Sequence, residues 1–204
     1  MQTLCRAIAI TLLLFAAFNV PLKAQDLRNN GYIGGGLGPS FLPGQNEAKT
    51  GIGLHLNLLN VGYSIGKKGF GLTGTWVGGA HSFDTEIKGF DPNVTFPAKT
   101  ELGYGVLMVG PMYTLHLTDD SSLDFKLRTG PLYTSEKTTS ESYTYTSENM
   151  SIGASLGVGY RKKIANRWCL MLSSDYYAGK QQINSGGSQS AHILSLTGGV
   201  GFVL

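Results

Sequence analysis

The chain has 204 residues and carries 16 Lys and Arg against 13 Asp and Glu, a formal net charge of +3. Only 14% of its residues are charged, against about a quarter in ordinary soluble domains. No basic face is clustered, which excludes a nucleic-acid binder, and the 29 glycines follow no collagen-like period.

The first two dozen residues stand apart from the rest. Met1–Arg6 is a weakly basic start, Ala7–Phe18 is an apolar run, and Pro21 breaks it before Lys23-Ala24-Gln25. This pattern predicts a secretory signal peptide over residues 1–24, cut after Ala24, and a mature domain over 25–204. The apolar run falls short of the ~20 residues a spanning helix needs. Without the leader, 14 basic and 13 acidic side chains remain, a net of +1. Cys5 precedes the apolar run, too early for lipid attachment. Cys169 is then the sole cysteine, so no intramolecular disulfide forms. No later segment approaches a transmembrane helix, and an exported chain of this kind crosses a membrane only as a closed β-barrel.

Eight strands are predicted, at 30–41, 51–64, 70–83, 100–117, 123–136, 149–161, 168–178 and 189–204. In the second, Ile52, Leu54, Leu56 and Leu58 share a face before the phase shifts to Leu59, Val61 and Tyr63. A bulge near Leu58 would produce that slip. The third sets Phe70, Leu72 and Trp76 against Gly71, Thr73 and Thr75. The fourth is apolar on both faces from Val106 to Pro111. Proline forfeits a ladder donor, so a bulge or a register break is expected at Pro111. The fifth sets Leu123, Phe125, Leu127 and Tyr133 against Asp124, Lys126 and Arg128. In the sixth, Ile152, Leu156, Val158 and Tyr160 oppose Ser151, Gly153, Ser155, Gly157 and Gly159. The seventh sets Trp168, Leu170, Leu172 and Tyr176 against Cys169, Ser173 and Asp175, and the eighth opposes Leu194, Leu196, Val200 and Phe202 to Ser195, Thr197 and Gly201. A period of two puts these sets on opposite faces. The polar faces are mostly Gly, Ser and Thr, a poor water-facing surface and a good filling for a narrow barrel. The fold class is therefore all-β: an eight-stranded, antiparallel, up-and-down transmembrane barrel with its greasy side outward.

The connections alternate in length. Gly66–Gly69, Thr118–Ser122 and Lys162–Arg167 are tight, whereas 42–50, 84–99, 137–148 and 179–188 are long and polar. Short turns on one rim and long loops on the other are the organisation of outer-membrane barrels. Aromatics predicted for the interfacial belts are Tyr63, Phe70, Tyr160, Trp168 and Phe202 near the short turns. Phe83, Tyr133, Tyr176 and Tyr177 are predicted for the other belt.

The Lys23-Ala24-Gln25 cut, the glycine-rich strands and the ending Gly198-Gly199-Val200-Gly201-Phe202-Val203-Leu204 resemble the small outer-membrane β-barrels of Gram-negative bacteria. These are the porin-family, OmpA/OmpX-like proteins, and the Ala-Gln cut is similar to that of Bacteroidota members. The resemblance implies a cell-outer-membrane location, contact with membrane lipid and lipopolysaccharide, and insertion by the barrel-assembly machinery. Members commonly end on an aromatic; here Phe202 is third from the end and Leu204 is last.

Candidate chemistry is sparse. Asp124, Lys126 and Arg128 on one inward face predict a lumen charge network, completed by Asp175 and Glu101, because charges inside a narrow barrel need partners. An eight-stranded barrel is just wide enough for side chains, so a filled lumen is expected. His192 and Ser195 sit three apart on a strand and face opposite sides, which excludes a nucleophile–base pair. No catalytic residue, metal or cofactor is implied. The loops 84–99 and 137–148 are the expected place for a surface ligand, giving a structural or adhesive role. A small-solute porin, a lipid-modifying barrel enzyme and a soluble lipocalin-like carrier are the alternatives.

Overall fold

The computed structural model describes residues 31–43, 52–65, 69–88, 95–140, 143–183 and 187–204. The predicted leader lies outside these residues. Eight strands follow one another: β1 (Gly31–Phe41), β2 (Gly53–Ser64), β3 (Phe70–Lys88), β4 (Thr95–His116), β5 (Ser121–Ser140), β6 (Tyr143–Lys163), β7 (Trp168–Ile183) and β8 (Gly187–Val203). Each pairs antiparallel with the next, and β1 pairs antiparallel with β8, so the ring closes. The Leu204 amide donates to the Gly31 carbonyl at 2.9 Å, joining the first and last described residues of the barrel on the short-turn rim.

Alternation carries the architecture. On β6, Ile152 and Leu156 are 75% and 62% exposed while Ser155 between them is buried. The same outward band holds Leu54, Leu72, Trp76, Leu107, Leu127, Leu170, Leu172 and Val200. This is the reverse of a soluble ligand carrier, which turns its apolar face inward. A continuous apolar belt of this extent needs hydrocarbon around it, and the strands span a membrane.

The β2 phase slip is a bulge: pairing with β3 shifts register between Asn57 and Leu59. Leu54, Leu56 and Leu58 therefore point outward on one side of it, and Asn60, Gly62 and Ser64 point inward on the other. The register break expected at Pro111 is absent. Leu72 pairs with Pro111 within an unbroken β3–β4 ladder, and β4–β5 keeps one register from Val106–Leu132 through Met112–Lys126. Pro111 points outward, and on the β5 side the ladder skips Gly110 and Pro111 and resumes at Met112 in the same register, so there is an interruption but no bulge.

The two apolar faces of β4 have a different cause. Leu107 and Val109 face outward, while Leu102, Tyr104, Val106 and Met108 face inward and join Leu42, Val77, Leu132, Tyr177, Ala191 and Ile193 in a buried cluster. The lumen is thus divided along its axis. Its long-hairpin half holds this apolar plug, and its short-turn half holds the charged residues beside a smaller buried cluster of Tyr32, Met112, Cys169, Met171 and Val203.

The strands on the long-hairpin rim outrun their expected ends. Most of the predicted loops 84–99 and 137–148 is strand, because β3 reaches Lys88, β4 begins at Thr95, and only residues 141–142 separate β5 from β6. Pairing of β2 with β3 stops at Leu54–Ala80, and pairing of β6 with β7 stops at Ala154–Ala178. Beyond those points β3, β4, β5 and β6 continue as one four-stranded sheet that stands past the closed ring.

Two substitutions separate inside from outside. Leu127→Arg, outward near mid-depth, should lower stability in lipid by roughly 2–4 kcal/mol, where a water-facing site would be nearly neutral. Leu132→Ala should cost about 2–5 kcal/mol through the void it opens in the plug. Denaturant unfolding of the protein reconstituted in vesicles measures both.

Candidate functional site: the ion-paired lumen and the protruding sheet

The charged layer is built by β5, whose inward positions are Asp124, Lys126 and Arg128, all buried. A long cationic side chain needs space beside it in so narrow a ring. The neighbouring strand supplies it: Lys126 pairs with Gly157 and Asp124 with Gly159. A Cβ on Gly157 would run into Asp175 and Arg128, and one on Gly159 would stand 3.1 Å from Lys126 Nζ. The glycine-rich face of β6 is the mould for the charges of β5.

Arg128 Nη2 donates to Asp175 Oδ1 across the lumen in a fully buried ion pair. Its Nε donates to Ser155 Oγ at 3.2 Å. Asp124 has a different partner, Arg161, which donates from Nε to Oδ2 at 2.7 Å and from Nη2 to Oδ1 at 3.0 Å. Thr114 Oγ1 adds a third bond to Asp124 at 2.8 Å and accepts one from Ser64 at 3.3 Å. Such two-point pairing is what makes a buried carboxylate tolerable. Tyr32 lies under this layer, its ring 4.1 Å from the Arg161 guanidinium carbon. Lys126 Nζ reaches Asn60 Oδ1 at 3.4 Å and sits 5.5 Å from the same ring. Among the described buried residues, two carboxylates thus pair with two of three cations, and the third, Lys126, rests on the Asn60 amide oxygen and the Tyr32 ring. A gap of about 10 Å³ lies between Asn57, Asn60, Ser173 and Thr197, room for about one water molecule.

Above the charges, two buried histidines flank Tyr104. His55 Nδ1 and Tyr104 Oη lie 2.8 Å apart, and Ser40 Oγ lies 3.0 Å from His81 Nε2. The rings of His55 and His81 sit 6.0 and 5.9 Å from that of Tyr104. The imidazoles are held as packed, hydrogen-bonded members of the lumen filling.

The expected site residues are distributed as follows. Asp124, Lys126, Arg128 and Asp175 all point into the lumen. Glu101 does not: it is exposed on the outward face of the protruding sheet, opposite Lys137. Inward residues of β4 have even numbers, so an odd position above the ring cannot reach the lumen. Arg161 closes the predicted sixth strand but is absent from the predicted charge network, because beside Lys162 and Lys163 it reads as the solvated basic end of that strand. Its odd position on β6 was the available signal. Of the belt aromatics, Tyr63, Phe70, Tyr133, Trp168 and Tyr176 are exposed on the outer surface. Tyr160 and Phe202 are half-buried there. Trp168 meets Phe202 edge-on at 5.8 Å and Phe70 packs on Tyr113 at 5.0 Å. Phe83 and Tyr177 belong to neither belt. Phe83 packs against the lumen plug, and Tyr177 is wholly buried within it.

His192 and Ser195 part company as their spacing requires. Ser195 is buried and faces the Asp175 carbonyl. His192 stacks on the outer surface against Tyr176, whose hydroxyl is 2.7 Å from its Nδ1.

No family model and no curated protein matches this chain. Solved structures do. Ail, the attachment invasion locus protein of Yersinia pestis, aligns with a TM-score of 0.52 at 13% identity, over 87% of this chain and 100% of that one. Neisserial surface protein A gives 0.51 at 12% identity, over 85% and 97%. A major outer membrane protein of Thermus thermophilus gives 0.51 at 14%, over 85% and 99%. At these identities the likeness is one of fold. The chain has the eight-stranded fold of the small outer-membrane barrels, apolar outside and ion-paired inside.

The lumen pairs yield a double-mutant cycle. Arg128→Leu, which strands Asp175 in the interior, should cost about 3–5 kcal/mol. Adding Asp175→Leu should recover a large part of that loss. The readout is denaturant unfolding in detergent micelles or vesicles.

Proposed function

We propose that the chain is an outer-membrane protein whose closed barrel is an anchor and whose protruding sheet is the working part. In this reading residues 1–24 direct export and are removed. The barrel-assembly machinery inserts the remainder, and the outward band contacts lipid and lipopolysaccharide. The short-turn rim faces the periplasm and the long-hairpin rim faces outward from the cell.

One observation carries the adhesive, ligand-binding role: the barrel wall stops closing well before its strands end. From Tyr143 to Gly153 the backbone of β6 pairs with β5 alone among the described residues, although the Asn149 side chain still donates to the Lys180 carbonyl of β7 at 3.1 Å. At ~3.3 Å per residue this is on the order of 35 Å of strand, far more than a hairpin needs to turn. A sheet projected this way offers both faces and a free edge to a partner. The filled lumen speaks against a solute pore, since ion pairs occupy one half and the apolar plug the other. The separation of His192 from Ser195 speaks against a hydrolase built on that pair.

Replacing residues 85–98 and 138–146 by short turns should leave a barrel that still fractionates with the outer membrane and keeps its heat-modifiable gel shift. Cells carrying that variant should adhere to mucin- and matrix-coated surfaces several-fold less than cells carrying the intact chain. Equal adherence would contradict the adhesive role. Recovery of the intact chain in the periplasm would contradict the anchor.

A further inference from the structure

The protruding sheet has two unlike faces. Its outward face is charged in alternating signs across the strands: Asp84 pairs with Lys99, and Glu101 stands between Ser82 and Lys137. Glu148 continues this face on β6, opposite Ser135. That face suits water.

The inner face continues the lumen side of each strand and is composed differently. β4 brings Phe96, Ala98 and Thr100, and β3 brings Phe83 and Thr85. Thr138 and Ser140 of β5 stand opposite Tyr145 and Tyr143 of β6. The lower rows are closed in, where Thr100 and Thr138 hydroxyls bond at 3.0 Å and Phe83 packs on the plug. Higher up, Ala98 is still covered, but Tyr143 is 61% exposed and Phe96 is 50% exposed. Tyr143 and Tyr145 stack at 6.5 Å with their rings only 9° from parallel. The Tyr145 hydroxyl is buried and has no protein partner among the described residues. The acidic residue on this face, Glu136, is already engaged in an interaction of its own.

We infer that the inner face of the extracellular sheet binds a neutral carbohydrate chain. The inference rests on the outer-membrane reading above and names its ligand class. Flat, rigid aromatic platforms offer apolar area at little entropic cost, which suits the C–H face of a sugar ring. Ser and Thr hydroxyls both donate and accept, matching the hydroxyls along a glycan. The charge of the sheet is confined largely to its other face, so a charged partner finds little to pair with here. A lipid has no use for the rows of hydroxyls. A protein strand would seek the β6 edge, not this face.

The test uses the full barrel reconstituted in nanodiscs, run over immobilised mannan, dextran and xylan and over a glycan array. Retention by at least one neutral glycan is expected. Tyr143→Ala and Phe96→Ala should each weaken it about tenfold or more, and Lys137→Ala, on the opposite face, should not. Tyr143→Phe should hold most of the binding. An unchanged gel shift on heating shows that each variant is folded. No retention by any neutral glycan, or equal retention by wild type and Tyr143→Ala, overturns the inference. Loss of adherence in the sheet-truncated cells, without any glycan binding, would overturn this inference while leaving the adhesive role standing. Capture only of peptides or of anionic glycans would likewise overturn it.

Discussion

Closing eight strands into a ring leaves an interior just wide enough for side chains, and every other feature of this molecule answers to that narrowness. A lumen of fixed width cannot be packed with large residues on all sides. Where β5 sends in Lys126 and Arg128, β6 has Gly157 and Gly159, and β1 contributes glycines rather than side chains. The glycines are therefore not a sign of looseness. They are the complement in volume of three buried cations and two carboxylates, and Arg128–Asp175 and Arg161–Asp124 make those charges tolerable where water cannot.

The same constraint divides the lumen by chemistry. Near the short turns ion pairs lie against Tyr32 and a small cluster of Met112, Cys169, Met171 and Val203, and near the long hairpins the filling is gathered on Tyr104, Tyr177 and Leu132. A channel would need one continuous polar wall, and here buried apolar clusters interrupt the polar lining at both ends. Rigidity below and projection above fit together. The filled barrel holds β3–β6 in place, and those strands carry a sheet beyond the ring.

Much of this was legible in the chain because period-two alternation survives wherever one face meets lipid and the other meets the lumen. The β6 run from Ser151 to Tyr160 showed its faces directly, and the slip at Leu58 showed the β2 bulge. Reading failed where the two environments were alike. Val106 and Met108 looked misplaced on β4 because an apolar lumen and an apolar exterior give the same residue types. The upper halves of β5 and β6 resembled loops because Ser, Thr and Glu dominate them. Cross-strand pairing nevertheless keeps Thr138, Thr139, Thr144 and Thr146 in strands, a pattern β-branched threonine favours. Charge alone puts Glu101 in the lumen and basic neighbours make Arg161 look like a solvated strand end, yet odd-and-even position along the strand decides both.

A transmembrane barrel requires the outward band to be immersed in hydrocarbon. Nitroxide labels at Ile152, Leu156, Val158, Leu170 and Leu172 in vesicle-reconstituted protein address this directly, through their accessibility to oxygen and to a water-soluble nickel chelate. High oxygen and low nickel accessibility at all five positions is expected, with a maximum near mid-depth. High nickel accessibility at Leu156 or Leu172 would place that face in water and contradict the transmembrane barrel.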